Sequence, residues 1–141
     1  MLIDFTVQNF RSFGTEQTLN LVASRAQTGH DDHCVAIPHM DERVLRAAVL
    51  YGANAAGKSN LVRAIDFARD LILDGAGPMK RIALNQFRFT EKAAEPSSFE
   101  FRFITGDRAF VYGFEVTKDE VIEEWLAATN ESGKEADVFH R

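Results

Sequence analysis

One stretch decides the fold of this chain: Gly52-Ala53-Asn54-Ala55-Ala56-Gly57-Lys58-Ser59. It fits the phosphate-binding template G-x-x-x-x-G-K-[ST] at every fixed position. In this template the glycines let the backbone turn tightly, so that successive N–H groups converge on phosphate oxygens. A following helix adds the positive end of its dipole, and Lys58 adds a mobile positive charge for the β- and γ-phosphates. The hydroxyl of Ser59 stands where Mg²⁺ would bind.

The residues on either side predict the setting that this template needs. Ala47 to Tyr51 is apolar and predicts a short buried strand, the end of a strand that begins at Val44. Asn60 to Leu73 predicts a helix, because four apolar residues fall on one of its faces: Leu61, Ile65, Ala68 and Ile72. The helix is expected to end before three breakers: Gly75, Gly77 and Pro78.

Most of the remaining sequence predicts β-structure. Leu2 to Val7 and Glu16 to Ala23 predict a hairpin, and the polar segment from Ser24 to Arg43 predicts an irregular loop. Phenylalanines alternate with charged residues from Phe99 onward, which predicts an antiparallel meander with one buried aromatic face, and another strand is expected over 135–141. The expected fold class is α/β: a mixed sheet carries the phosphate loop and its helix beside this meander.

Composition indicates a single domain. The chain has 141 residues, of which 45% are hydrophobic and 26% charged, and its net charge is −5. No apolar run approaches the roughly 20 residues that span a bilayer, and no export signal is recognisable. A single cysteine, Cys34, fits a reducing compartment, so a cytoplasmic protein without a membrane partner is expected. An acidic chain is a poor general binder of nucleic acid, and Lys80, Arg81 and Arg88 are interpreted as a solvated loop.

The polar segment also contains a possible metal-binding cluster. Four potential ligands fall within ten residues, beside several acids: His30, His33, Cys34 and His39. Zinc accepts such ligands, but no C-x-x-C accompanies them. The preferred interpretation is a polar loop whose histidines face water. Cys34 has no organised partner that would make it a nucleophile, and the many phenylalanines are interpreted as core rather than as a base-stacking platform.

Acids that would complete a hydrolytic site are not recognisable. Such an acid is expected at the end of an apolar strand. Asp74 follows three apolar residues but belongs to the predicted helix, which places it about 20 Å from Lys58. Glu123 and Glu124 follow only two apolar residues. Guanine specificity is not indicated either, because the D-x-x-G at residues 74–77 follows Lys58 too closely and residues 117–120 miss the last residue of T-K-x-D. Two interpretations stay open: the phosphate-binding part of an ATPase, or a non-catalytic module that binds nucleotide or protein.

Three parts of the sequence resemble one known family. Residues 52–60 resemble the G-x-N-x-x-G-K-S-N form of SMC- and RecF-like ABC ATPases, and are most similar to AAA-type ATP-binding proteins of the OLD-like and abortive-infection group. Residues 7–13 resemble the opening strand and F-R-S-F turn of this group, and residues 87–89, 99–101 and 112–114 resemble its antiparallel lobe. Ala56 departs from the serine that is more usual there.

The resemblance implies that residues 1–141 are the N-terminal, Walker A lobe of an ABC-type ATPase head. It implies ATP and Mg²⁺ as ligands, held by residues 52–60, with Arg11 and Ser12 as neighbours of the nucleotide and Gln86 as a candidate for the family's metal-contacting glutamine. Hydrolysis would need a C-terminal lobe or a second head in a homodimer. Relatives join nuclease domains or partners and act in DNA repair or phage defence, so nucleic acid would be contacted only through the full assembly.

Overall fold

The computed structural model describes residues 1–26, 29–75, 81–89, 95–130 and 132–141. These residues form a short 3-10 turn, Asp31–His33, one α-helix and eight β-strands. In chain order the helix and strands are β1 (Leu2–Gln8), β2 (Gln17–Asn20), β3 (Cys34–Ala36), β4 (Arg43–Leu45), α1 (Lys58–Asp74), β5 (Ser97–Thr105), β6 (Arg108–Val116), β7 (Val121–Thr129) and β8 (Glu135–His140).

Six strands form the main sheet, in the order β2-β1-β5-β6-β7-β8, and every neighbouring pair is antiparallel. The predicted opening hairpin, meander and last strand are therefore confirmed. The predicted separation into a mixed sheet and a meander is wrong for the described residues. Phe5 of β1 lies directly opposite Phe101 of β5, so the hairpin and the meander share one sheet. The fold is still mixed α/β, because α1 covers one face of the sheet.

The aromatic face of the sheet packs against α1. Side chains two residues apart on a strand share a face, which puts Phe99 and Phe101 on the side of the helix. Phe67 of α1 contacts Phe99 at 5.3 Å between ring centroids. Ala64 and Ala68 are fully buried, and their small side chains let the helix lie close to the sheet. The predicted role of the phenylalanines as core is confirmed for Phe5, Phe10, Phe99 and Phe114, which are buried, whereas Phe89 is 88% exposed.

The opposite face carries a feature that the sequence did not predict. β3 lies inside the segment expected to be irregular and forms a small antiparallel hairpin with β4, which contains only Val44 and Leu45 of the strand predicted from Val44. Val44 of β4 is fully buried and packs in a second apolar cluster with Ile3, Ile37, Ile104 and Ala109. Three-residue strands among polar residues show no alternation to detect, and they are stabilised by this burial rather than by local propensity.

Trp125 lies on the same face of the sheet and contacts Gly113 and Glu100 there. Its ring lies over Gly113, where an added Cβ would come within 2.2 Å of the indole. Its Nε1 donates a hydrogen bond of 3.1 Å to Glu100, and burial raises the pKa of that carboxyl although the indole hydrogen bond opposes the shift. Nearby, Arg102 contacts Asp4 at 2.9 Å. Burial likewise raises the pKa of Asp4, and the Arg102 charge opposes this shift.

The strand predicted directly before the phosphate loop is not formed. β4 ends at Leu45, and residues 47–51 are exposed coil in which Val49 is 84% and Tyr51 is 91% exposed. A strand needs a neighbour that pairs with its N–H and C=O groups, and the described residues provide none for this segment. The prediction of a buried strand is therefore wrong for this structure.

The helix predicted after the loop is present and runs two residues further at its start, from Lys58 to Asp74. It ends at Gly75, which has a φ of 69° and donates its N–H to Leu71 at 3.0 Å, while Gly77 and Pro78 lie outside the described residues. Across the described segments, no helix has the length and apolar character needed to cross a membrane.

Candidate functional site

Residues 52–57 form a tight loop that leads directly into α1. Three of them have a positive φ: Gly52 (157°), Ala55 (66°) and Gly57 (91°). Glycine adopts this conformation freely, whereas alanine does so at a cost, so Ala55 is a strained position. The N–H of Ala56 also donates to the Ala53 carbonyl at 3.3 Å, which closes the turn. The sequence therefore folds here into the compact loop that the template requires.

Lys58 holds the two sides of this loop together. Its Nζ donates hydrogen bonds of 2.7 Å to the Gly52 carbonyl and 2.8 Å to the Ala53 carbonyl. The ammonium group therefore lies across the loop although Lys58 is the first residue of α1. The loop has no acidic residue, so Lys58 is its only charged side chain.

The start of α1 adds backbone donors to this charge. At the start of α1, Asn60 and Leu61 donate their N–H groups to the Gly57 carbonyl at 2.9 Å and 3.1 Å. Within the described part of the chain this leaves the N–H groups of Lys58 and Ser59 open, because Gly57 at the N-cap has no side chain to accept from them. Residues 52–56 and Ser59 are exposed, so a ligand can reach the loop from solvent. Unpaired N–H groups, a helix dipole and an ammonium group in one exposed loop favour an anionic ligand.

The N-terminal turn lies against the beginning of this helix. The side-chain amide of Asn60 donates to the Ser12 hydroxyl at 2.9 Å, and a Cβ added to Gly57 would lie 3.4 Å from the same oxygen. Arg11 has a φ of 51°, and its N–H donates to the Asn85 carbonyl at 2.7 Å. Its Nε is buried and has no hydrogen-bond partner within the described part of the chain. The structure thus places Ser12, Asn60 and Gly57 together, with Arg11 beside them in sequence.

The segment containing Gln86 reaches the same turn. Asn85 accepts the hydrogen bond from Arg11, and the Phe87 ring covers Gly14, where an added Cβ would come within 2.7 Å of it. The Gln86 side chain donates to the Glu95 carbonyl at 2.8 Å. Gln86 is therefore next to the N-terminal turn in the fold, and its amide donates to the main chain in this structure.

The other acids considered in the sequence lie elsewhere in the fold. Asp74 is the last residue of α1. Glu123 contacts His140 on β8. Glu124 accepts from Tyr112 at 2.7 Å and from Arg141 at 2.8 Å. Burial opposes ionisation of Glu124, but these two hydrogen bonds lower its pKa, whereas burial and the Glu124 contact raise the pKa of Tyr112.

The fold brings together only some of the potential metal ligands of the polar segment, and it does not group the basic residues considered above. His30 and His33 lie close to one another and are exposed, as predicted, with Asp32 as their third neighbour. Cys34 and His39 do not belong to that group. Arg81 pairs with Asp119 at 3.2 Å and Arg88 is exposed, while Lys80 lies outside the described residues.

A loop of this form that leads into a helix is typical of nucleotide-binding, ATPase-like proteins. A family model described as "AAA domain, putative AbiEii toxin, Type IV TA system" matches residues 47–141, more than half of the chain. The chain therefore belongs to this family. This membership supports its assignment as an AAA- or ABC-type, ATPase-like protein with an ATP-binding function. A search of curated proteins and a search of solved structures each found no match.

Sequence reasoning missed the contacts that join distant segments at the site. The link between Ser12 and Asn60 spans 48 positions, and Arg11 binds a main-chain carbonyl at Asn85. A carbonyl acceptor is present in every residue, so no residue type at position 85 signals the second contact. For the contact between Ser12 and Asn60, the sequence offered one signal, the F-R-S-F turn that contains Ser12.

Proposed function

We propose that this chain binds Mg·ATP as the N-terminal, Walker A lobe of an ABC-type ATPase head of the SMC-, RecF- and OLD-like kind. Residues 52–58 surround the phosphates, the Ser59 hydroxyl contacts Mg²⁺, and Asn60 orients the start of the helix. The observation that carries this proposal is the position of the Lys58 ammonium across the loop, at 2.7 Å and 2.8 Å from two loop carbonyls.

A bound phosphate would replace the two loop carbonyls as the hydrogen-bond acceptor of the Lys58 ammonium group. The two carbonyl contacts hold Lys58 over the loop without a nucleotide, so little side-chain entropy remains to be lost on binding. Exchange of neutral carbonyl acceptors for phosphate oxygens strengthens each hydrogen bond, because both partners are then charged. The open N–H groups at the start of α1 supply further donors to the same anion.

Arg11 and Ser12 are proposed as neighbours of the nucleotide. The Ser12 hydroxyl is within 2.9 Å of the Asn60 amide, at the edge of the loop. The buried Nε of Arg11 has no partner among the described residues, and a phosphate oxygen is an acceptor that a guanidinium binds well. Gln86 would contribute to the metal only after its amide leaves the Glu95 carbonyl.

Hydrolysis is proposed to require a C-terminal lobe or a second head. The exposed apolar residues before the loop support this, because Val49 and Tyr51 leave apolar surface and unpaired backbone that a further strand would cover. In such an assembly two heads would enclose ATP as a homodimer, in the cytoplasm. Coupling to a nuclease partner in DNA repair or phage defence is part of the same proposal, and the matched family supports a role related to abortive infection.

The second candidate is a non-catalytic module that binds nucleotide or a partner protein. It is favoured by the acids of β7, since Glu123 and Glu124 are paired with His140 and Arg141 instead of facing the loop. The two candidates share the phosphate loop and differ in turnover. ATP hydrolysis by the full-length protein, lost in Lys58→Ala, would select the first.

Hydrogen exchange with and without Mg·ATP tests where the nucleotide binds. Backbone N–H groups of residues 52–59 should exchange more slowly with the nucleotide, because bound phosphate accepts from those that are open, such as those of Lys58 and Ser59, and excludes water from the others. The N–H groups of the β7–β8 turn should be unchanged and serve as the internal control. Protection confined to other segments, or no protection at saturating ATP, would reject this loop as the site.

A further inference from the structure

We propose that His30, Asp32 and His33 form a surface site for a divalent transition metal ion, with Zn²⁺ as the best-matched ion. One ligand atom from each of these residues lies within 4.8 Å of the other two. The site is on the 3-10 turn that precedes β3 and is separate from the phosphate loop in sequence. It therefore does not depend on the proposed nucleotide-binding function.

The side chains already face one another. The His30 and His33 rings are stacked, with centroids 5.2 Å apart and planes inclined by 20°. The His33 Nε2 is 3.5 Å from a carboxylate oxygen of Asp32. Ligand atoms around a tetrahedral Zn²⁺ at about 2.1 Å are about 3.4 Å apart, so binding would require the side chains to rotate until the three ligand atoms, now within 4.8 Å of one another, reach that separation.

The backbone of the turn is fixed by the hairpin behind it. His30 has a φ of 56°, and its carbonyl accepts the N–H of His33 at 2.9 Å. Arg46, which follows β4, binds the last two residues of the turn: its N–H donates to the His33 carbonyl at 2.9 Å, and its Nε donates to the Asp32 carbonyl at 3.0 Å. The buried Val44 anchors that hairpin to the sheet, so the ligands are held on an ordered support.

Asp31 does not compete for the ion. Its carboxylate pairs with Arg43, which holds it apart from the group of three. The site therefore has two imidazoles and one carboxylate, a set that suits zinc and its transition-metal neighbours better than Mg²⁺ or Ca²⁺, which prefer oxygen ligands only. All three residues are exposed, so a water molecule would complete the coordination, and an exogenous ligand could replace that water.

Calorimetric titration of Zn²⁺ into the tag-free, chelator-washed full chain tests this site. One ion per chain should bind to the wild type. His30→Ala and His33→Ala should each weaken binding by more than about tenfold, because even outer-shell partners of metal ligands are worth that much. The matched control is His39→Asn, which removes an exposed histidine outside the group and keeps a residue that tolerates its φ of 62°.

A thermal-unfolding series provides the second measurement. Zn²⁺ should raise the Tm of the wild type and of His39→Asn, and should leave the Tm of the His30→Ala/His33→Ala double variant unchanged, because only an ion bound to the folded state stabilises it. Mg²⁺ should shift none of them. The proposal is overturned if no stoichiometric Zn²⁺ binds, or if the double variant binds Zn²⁺ as tightly as the wild type.

Discussion

The side-chain amide of Asn60 donates a hydrogen bond of 2.9 Å to the hydroxyl of Ser12. This contact joins the turn after β1 to the first turn of α1, beside Gly57. It makes the position of the phosphate loop depend on the opening strand of the sheet, because Ser12 is held in the turn by the paired backbones of Phe10 and Phe13. The N-terminal turn is therefore part of the site and not only a connection between strands.

The link between Ser12 and Asn60 should contribute measurably to stability. Ser12→Ala and Asn60→Ala should each lower the free energy of unfolding by about 0.5–1.5 kcal/mol, toward the lower limit because the bond is exposed. Urea unfolding of both single variants and the double variant gives the coupling between them. A double variant whose loss equals the sum of the single losses would show that the two side chains do not interact.

Gly113 should tolerate no larger residue while Trp125 is present. A Cβ at this position would come within 2.2 Å of the indole, so Gly113→Ala should lower the free energy of unfolding by about 1–3 kcal/mol or more. The same substitution in a Trp125→Ala background should cost much less, because the ring that it meets is gone. Equal costs in the two backgrounds, measured by chemical unfolding, would contradict the packing described here.

The half-buried carboxyl groups of Glu100 and Glu124 should change the stability of the folded state with pH in opposite directions. Burial raises the pKa of Glu100 above its unfolded value of 4.5, so its ionised form is disfavoured in the folded state and its contribution is lost as the pH rises through the folded pKa. Glu100→Gln keeps an acceptor for Trp125 and should therefore raise the Tm relative to wild type more at pH 7 than at pH 3.

Glu124 provides the comparison with the opposite sign. Its pKa is lowered, against the effect of burial, by hydrogen bonds from Tyr112 and Arg141. Its contribution is present above the unfolded pKa and is lost as the pH falls through the folded one. Glu124→Gln should therefore lower the Tm at pH 7 more than at pH 3. Parallel pH profiles for the Glu100 and Glu124 variants would refute the assigned environments.

Ser59 should determine how much Mg²⁺ contributes to nucleotide binding. Ser59→Ala should reduce the gain in ATP affinity on adding Mg²⁺ by roughly tenfold, the size of a lost contact to a charged group. Affinity for ATP in EDTA should be the same in both proteins, because the hydroxyl is proposed to contact the metal. If Ser59→Ala retains the full Mg²⁺ effect, then this hydroxyl is not the metal ligand.

The parts of the fold with long regular patterns could be predicted from the sequence. The helix after the loop and the two strands between Phe99 and Val116 have clear periods, and the structure has them as α1, β5 and β6, while β7 and β8 were expected from position along the chain and not from a period. β3 and its pairing with β4 could not be predicted, because both strands are three residues long and depend on the burial of Val44 against another part of the chain.

The strand expected at residues 47–51 shows a second limit of prediction from sequence. Its apolar residues favour a buried strand, but a strand forms only beside a partner, and the described residues offer none. At the candidate site, the residues of the phosphate loop could be named from the template. The contacts of Lys58 with two carbonyls, and of Asn60 with Ser12, depend on the folded path of the backbone and could not.

Calorimetric titration of the full-length protein with ATP in the presence of Mg²⁺ tests the central claim most directly. Lys58→Ala should weaken binding by at least about tenfold, because it removes the charged donor to the phosphates. The matched control is Lys134→Ala, which removes an exposed lysine from the turn between β7 and β8 and should bind ATP like the wild type. An unchanged ATP affinity in Lys58→Ala would contradict the assignment of Gly52 to Ser59 as the nucleotide-binding loop.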